Sequence, residues 1–304
     1  MKKAEPAVLT MGFTLADGNN YVDLSQCASI LNRRFYRQGI NWAVAGFRFY
    51  KPTPTEVGAT GVSVSKLPST WSMSNGWEKV FRAWKRQQDE VMDDGVQESV
   101  KARYNDFKIY ADADHMSATN LLPLDASANV AVAGEWDYSN LVVPNFGSPG
   151  VNFDAKIFAV GPKVGGVGGG FSIIQLYADS RSTPFSPDPD VPGDVLSTDN
   201  ILNLMFDAGD NNTDVLTDVI GENNETPYTI DDYPGGDTQL PGLQIVDVGY
   251  FNTGTNANKL YLKGDSFPCG LMKISQNTGE VITMLVDLVP GHHRGYLCEP
   301  MTEM

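Results

Sequence analysis

The sequence predicts an all-β protein of two consecutive jelly-roll β-sandwiches, a double jelly roll with one or two short helices in its connecting loops. Three observations lead there. Apolar residues recur mostly with the two-residue period of half-buried strands, in short runs. Gly (30) and Pro (18) are frequent enough to punctuate nearly every gap between those runs. The order of strands, Pro/Ser/Thr loop, helix and further strands occurs twice along 304 residues, a length comfortable for two domains.

The strand candidates of the first half are residues 8–15, 42–50, 62–67, 107–111 and 130–143. The run W-A-V-A-G-F-R-F-Y from Trp42 to Tyr50 is the strongest of them. In the second half they are 153–160, 171–178, 243–251, 259–263, 271–275 and 281–289. Turn residues separate them: Asp17-Gly18-Asn19-Asn20, Thr53-Pro54, Gly165-Gly166, Thr253-Gly254 and Asn277-Thr278-Gly279. Many short strands at such spacing describe a sandwich.

A helix over 77–94 interrupts the first set. Trp77, Phe81 and Trp84 fall on one face with Val80 and Val91, and Ser74 or Asn75 can cap its start. Arg82 and Lys85 fall largely on the other face, with Lys79 and Arg86. A weaker helix covers 201–206, with 215–220 after a polar break. The linker P-N-F-G-S-P-G places the boundary near Asn145, giving 1–145 as the first jelly roll and 146–304 as the second, with a margin of about twenty residues.

Charge narrows the function. The net charge is −15, yet residues 1–109 carry 15 Lys/Arg against 11 Asp/Glu, and the rest carry 7 against 26. Gathering nucleic acid electrostatically takes a dense basic arm or stripe. Neither end supplies one, so tight direct nucleic-acid binding is not expected. No apolar stretch follows Lys2 and Lys3, so no secretory signal is expected. No segment reaches the roughly 18 apolar residues of a spanning helix.

The stretches that imitate catalytic or metal sites resolve into ordinary structure. Gly161–Gly170 lacks both phosphate-binding glycine patterns and leads into a strand, so it reads as a hairpin loop. Asp112 and Asp114 could share a strand face beside His115, but with no second cluster they read as a surface strand end. Asp207, Asp210 and Asp214 miss the calcium-loop template; a solvated loop is expected, with a weak divalent cation as the alternative. His292, His293 and Cys298 lack an orienting third group and read as a C-terminal turn and strand. Cys27, Cys269 and Cys298 are too few and too scattered for a disulfide or zinc framework and read as buried thiols. Asn211 and Asn224 head glycosylation sequons that matter only in a secreted eukaryotic protein. No catalytic residue, cofactor or metal is therefore expected.

The basic cluster Arg33, Arg34 and Arg37, with Arg82 and Lys85 on the helix, admits two readings. Its aromatic neighbours Phe35, Tyr36 and Trp42 could stack bases. The favoured reading is that the arginines meet acidic surface, in the partner half or on a neighbouring subunit.

Scattered motifs carry a resemblance. Tyr21-Val22-Asp23-Leu24-Ser25, Asn32-Arg33-Arg34-Phe35-Tyr36-Arg37-Gln38-Gly39, Leu67-Pro68-Ser69-Thr70-Trp71 and Ser74-Asn75-Gly76-Trp77-Glu78-Lys79 are four of them. Gly134-Glu135-Trp136-Asp137-Tyr138-Ser139 and Leu288-Val289-Pro290-Gly291 with Arg294-Gly295-Tyr296 complete the set. Together they resemble the capsid proteins of small circular single-stranded-DNA viruses, and most closely the double jelly-roll major capsid proteins of the FLiP-type lipid-containing phages. The resemblance implies a non-enzymatic subunit of an icosahedral bacteriophage virion that forms a homotrimer and tiles a shell around an internal membrane. Minor capsid or vertex proteins would be its partners and the host cytoplasm its place of assembly. The acidic balance agrees, since lipid between shell and genome removes the need for a basic arm. The alternative is a carbohydrate-binding or spike-type β-sandwich module.

Overall fold

A computed structural model describes residues 6–52, 60–94, 106–144, 152–162, 164, 169–182, 242–251 and 258–303. The architecture is mainly antiparallel β-sheet with few helices, as expected. Its strands are β1 (Thr10–Leu15), β2 (Gly18–Asp23), β3 (Ile40–Tyr50), β4 (Thr60–Lys66), β5 (Asn140–Pro144), β6 (Asn152–Phe158), β7 (Gly170–Ser172), β8 (Gln244–Phe251), β9 (Lys259–Lys263), β10 (Ser266–Phe267), β11 (Leu271–Gln276), β12 (Ile282–Leu288), β13 (Pro290–Gly291), β14 (Gly295–Tyr296) and β15 (Cys298–Pro300). The helices are α1 (Leu24–Asn32), α2 (Trp71–Asp94) and α3 (Ile173–Ser182).

Two sheets face each other. One is ordered β1–β12–β3, with β9 and β10 continuing along β3; the other is ordered β2–β11–β4–β8. The long strand β3 is the organiser, because Trp42 pairs with Phe267 on one side and Cys298 on the other. Along the chain the strands of these two sheets alternate between them, except that β4 and β8 lie side by side in one and β9 and β10 both pair with β3 in the other.

Alternation along the strands builds the core. Met11, Phe13 and Leu15 of β1, Ile282, Met284 and Val286 of β12, and Met272 and Ile274 of β11 all point inward and are fully buried or nearly so. In β3 the inward residues are Trp42 and Val44, then Phe47 and Phe49. The change of parity follows from a bulge: Leu288 pairs with Val44 and Asp287 with Gly46, leaving Ala45 as the extra residue. Gly264 is required nearby, since a Cβ there would lie 2.0 Å from the Val44 carbonyl oxygen.

The pairing overturns the expected division of the chain. Every sandwich strand from 10–66 is hydrogen bonded to one from 244–300, so this sandwich lies in neither 1–145 nor 146–304. Periodicity identifies strands, but it does not reveal that the partner of β1 sits more than 260 residues away. Residues 67–243 are an insertion between neighbouring strands β4 and β8. Its described part holds α2, α3 and the sheet β5–β6–β7, around a second core that includes Trp77, Trp84, Phe107, Ile157 and Ile173. This core reaches Tyr21 and Leu271 of the sandwich.

Several expected elements change. α2 starts six residues before the expected Trp77, with Thr70 as its cap: Met73 N–H donates to Thr70 Oγ1 (3.4 Å) and Ser74 N–H to the Thr70 carbonyl. Ser74 is thus inside the helix, where its hydroxyl donates to the Met301 carbonyl (2.7 Å). The expected strand at 171–178 is mostly α3, because Ser172 Oγ accepts from Gln175 N–H and starts a helix. The expected strand at 130–143 survives only as β5, and 107–111 only as an isolated bridge at Tyr110. The expected loop at 180–200 begins inside α3, which runs to Ser182; its remainder and the expected helices at 201–206 and 215–220 lie outside the described residues.

Candidate functional site

Helix α1 leads into a cavity. Asp23 caps it, accepting from Ser25 N–H (2.9 Å) and Gln26 N–H (3.3 Å), and Arg33 ends it in the left-handed conformation (φ 53). The chain then turns back along residues 34–39. Two crossed hydrogen bonds clip this return to the β13–β14 hairpin: Tyr36 OH donates to the Arg294 carbonyl (3.0 Å), and the Arg294 guanidinium donates to the Phe35 carbonyl. Across from the loop, α2 presents Trp77 and Phe81, stacked at 5.1 Å and 11°. Gly39 lets the indole lie against the backbone, since a Cβ there would come within 2.6 Å of Trp77 Cζ2.

The result is a cleft of about 590 Å³. Phe35, Arg37, Gly39 and Ile40 form one wall and Trp77, Phe81 and Phe107 the other, with His293 and Arg294 completing it. Phe35 is 49% exposed. Burial and the neighbouring Arg294 charge hold the His293 pKa below its ordinary value, so the arginines supply the positive charge. Trp77 Nε1 is buried and has no acceptor among the described residues, whereas Trp42 donates to Ser25 Oγ (3.0 Å) and Trp136 to Asp23 Oδ2 (3.1 Å).

The structure brings together only some of the candidate residues. Trp77, Phe81 and Arg37 share the cleft, while Trp84 is buried against Phe107 (ring centroids 5.5 Å apart). Arg82 is paired with Glu78 on the exposed face of α2, and Lys85 is exposed there too. Arg33 is exposed and Arg34 partly so. Base stacking on Tyr36 and Trp42 is ruled out because both rings are fully buried. The basic start and acidic end of the chain do pair, through other residues: Arg48–Asp287 (2.6 Å), Lys66–Asp265 (2.8 Å) and Lys51–Glu280 (3.9 Å). Sequence reading missed Phe107, His293 and Arg294 as cleft residues, because they join it only through the fold.

A buried polar network ties the insertion to the sandwich. Gln38 donates to Asp23 Oδ2 (2.9 Å) and the Ile109 carbonyl (3.0 Å), and accepts from Ile109 N–H. His115 Nδ1 accepts from Ala111 N–H (3.0 Å), which places its proton on Nε2, facing Asn120 Oδ1 (2.7 Å). Asp112, read from sequence as part of a surface strand end, is instead buried. It accepts from Tyr21 OH (2.8 Å), His115 N–H and Lys273 Nζ (2.9 Å), a ring of donors that accounts for a carboxylate there. The network is satisfied by its own members and holds the insertion in place.

Among the described residues no group of three His, Cys, Asp or Glu side chains could hold a metal ion; Asp207, Asp210 and Asp214 lie outside them. Burial raises the thiol pKa values of Cys27 and Cys269, and pushes that of Cys298 up to about 12, so Cys298 stays protonated near neutral pH. No helix among the described residues is long and apolar enough to cross a membrane. No protein-family model, curated protein or solved structure matches this chain.

Proposed function

We propose that this chain is a structural subunit of a small icosahedral virus shell and acts by self-association, without catalysis. The observation that carries the reading is the strand winding, β1–β12–β3–β9 against β2–β11–β4–β8, a scaffold typical of capsid subunits. Fold alone does not settle function. Two further features support the reading. The sandwich interior is filled by Met11, Phe13, Trp42, Phe47, Phe49 and Met284. The motif resemblance to FLiP-type capsid proteins points the same way, and with it come a place in the virion, assembly in the host cytoplasm, an underlying membrane, and minor capsid or vertex proteins as partners.

The homotrimer with a six-fold outline belongs to a subunit with two sandwiches. In this proposal the second would include the β5–β7 sheet. A subunit with the β1–β12 sandwich alone would associate around five-fold and six-fold axes instead. Light scattering of the native protein separates the cases: a stable trimer supports two sandwiches, and pentamers or hexamers support one. A protein that stays monomeric at high concentration while binding glycans on an array would favour the carbohydrate-binding alternative.

A further inference from the structure

We infer that the Arg37 cleft is a receptor for a second copy of this chain, taking an acidic side chain carried beside an apolar one on the neighbour's surface. The inference rests on the shell reading and names the partner of one surface within it.

The cleft has the composition of an interface anchor site. At about 590 Å³ it holds one or two side chains, and its Arg, Trp and Phe are residue types in which interface energy concentrates. The Arg37 guanidinium makes no ion pair among the described residues, and neither does that of neighbouring Arg33. Arg294 donates to the Phe35 carbonyl and, with five N–H donors, retains others. An entering carboxylate would supply the counter-charge to Arg37 and Arg294, while Phe35, Phe81 and Phe107 cover an apolar neighbour.

Charge complementarity points to another copy as the occupant. Residues 110–304 carry 26 Asp/Glu against 7 Lys/Arg, so most of what a second copy can present is acidic. Single-stranded nucleic acid fits less well: Tyr36 and Trp42 are buried, Phe35 is the exposed ring of that cluster, and Arg82 is already paired with Glu78.

The test compares wild type, Arg37→Glu and Phe35→Ala by analytical ultracentrifugation across concentration and salt, with circular dichroism as the folding control. Arg37→Glu should raise the concentration needed for self-association by about tenfold or more without changing the spectrum. Phe35→Ala should act in the same direction. High salt should weaken association of wild type. If wild type associates and Arg37→Glu associates equally well, the cleft assignment falls and the shell reading stands. If wild type never associates, both fall. If fluorescence anisotropy shows oligo(dT) bound tightly by wild type and released by Arg37→Glu while self-association persists, the occupant is nucleic acid and the inference is overturned.

Discussion

Arg48 of β3 and Asp287 of β12 form a 2.6 Å ion pair across the sheet, joining the basic beginning of the chain to its acidic end. Thr10 of β1 donates to the same carboxylate oxygen (2.6 Å), so three adjacent strands meet at one acidic side chain. Partial burial opposes ionisation of Asp287, but the donors outweigh it and its pKa is lowered. A lowered carboxylate pKa contributes stability at neutral pH that is lost as pH falls. Both side chains are about a third exposed, so solvent screens the pair. A double-mutant cycle with Arg48→Ala and Asp287→Ala, read by urea unfolding, should give a coupling energy of about 1 kcal/mol or less. A coupling several times larger would mean that the pair is shielded in the native assembly.

The strands that were legible in the sequence are those whose two faces meet different surroundings. β1, β3, β11 and β12 alternate because one side faces the core, and their expected limits fall within a few residues of those found. β2 was hidden because Gly18, Asn19 and Asn20 look like a turn, although they pair with Gln276, Ser275 and Ile274. α1 was hidden by its shortness, though Asp23 followed three residues later by Gln26, with Leu24, Cys27, Ala28 and Leu31 on one face, is a helix-start pattern. The cleft was legible only in part: the aromatic face of α2 follows helical spacing, while its meeting with Phe35 and Arg294 depends on long-range pairing.

The face of α2 gives a second prediction. Trp84 is 6% exposed and packs on Phe107 and Phe81, so Trp84→Ala should cost about 3–5 kcal/mol and yield aggregated or unassembled protein. Arg82→Ala and Lys85→Ala should stay within about 0.5 kcal/mol. Thermal unfolding of the three variants checks this. Normal folding and assembly of Trp84→Ala would remove α2 from the second core.

Acid should expose the His115 network. Burial, the dominant influence, lowers the His115 pKa from its ordinary 6.5 to about 4. Protonation would also take away the acceptor used by Ala111 N–H. The stability held by the neutral ring is present above pH 6.5 and is lost as pH falls toward 4. Asp23 has the opposite sign. Burial raises its pKa to about 6 against the pull of its donors, so its contribution is full below an ordinary carboxylate value of 3.8 and fades as pH rises through 6. His115→Gln should flatten the acid limb of a stability–pH curve measured by denaturant unfolding. An unchanged limb would assign acid sensitivity to other groups.

Single-stranded DNA should bind the native protein weakly at physiological salt, because the chain is acidic overall. Fluorescence anisotropy with a labelled oligonucleotide measures this. Tight, salt-sensitive binding lost on replacing Arg33, Arg34 and Arg37 would make those arginines a nucleic-acid surface.

Electron microscopy of the purified, expressed protein under native conditions tests the shell reading most directly. The account predicts closed particles or regular capsomers of uniform size, built from this chain alone or completed by partner proteins. Uniform monomers at every concentration, together with the absence of this chain from the surface of purified virions, would contradict it.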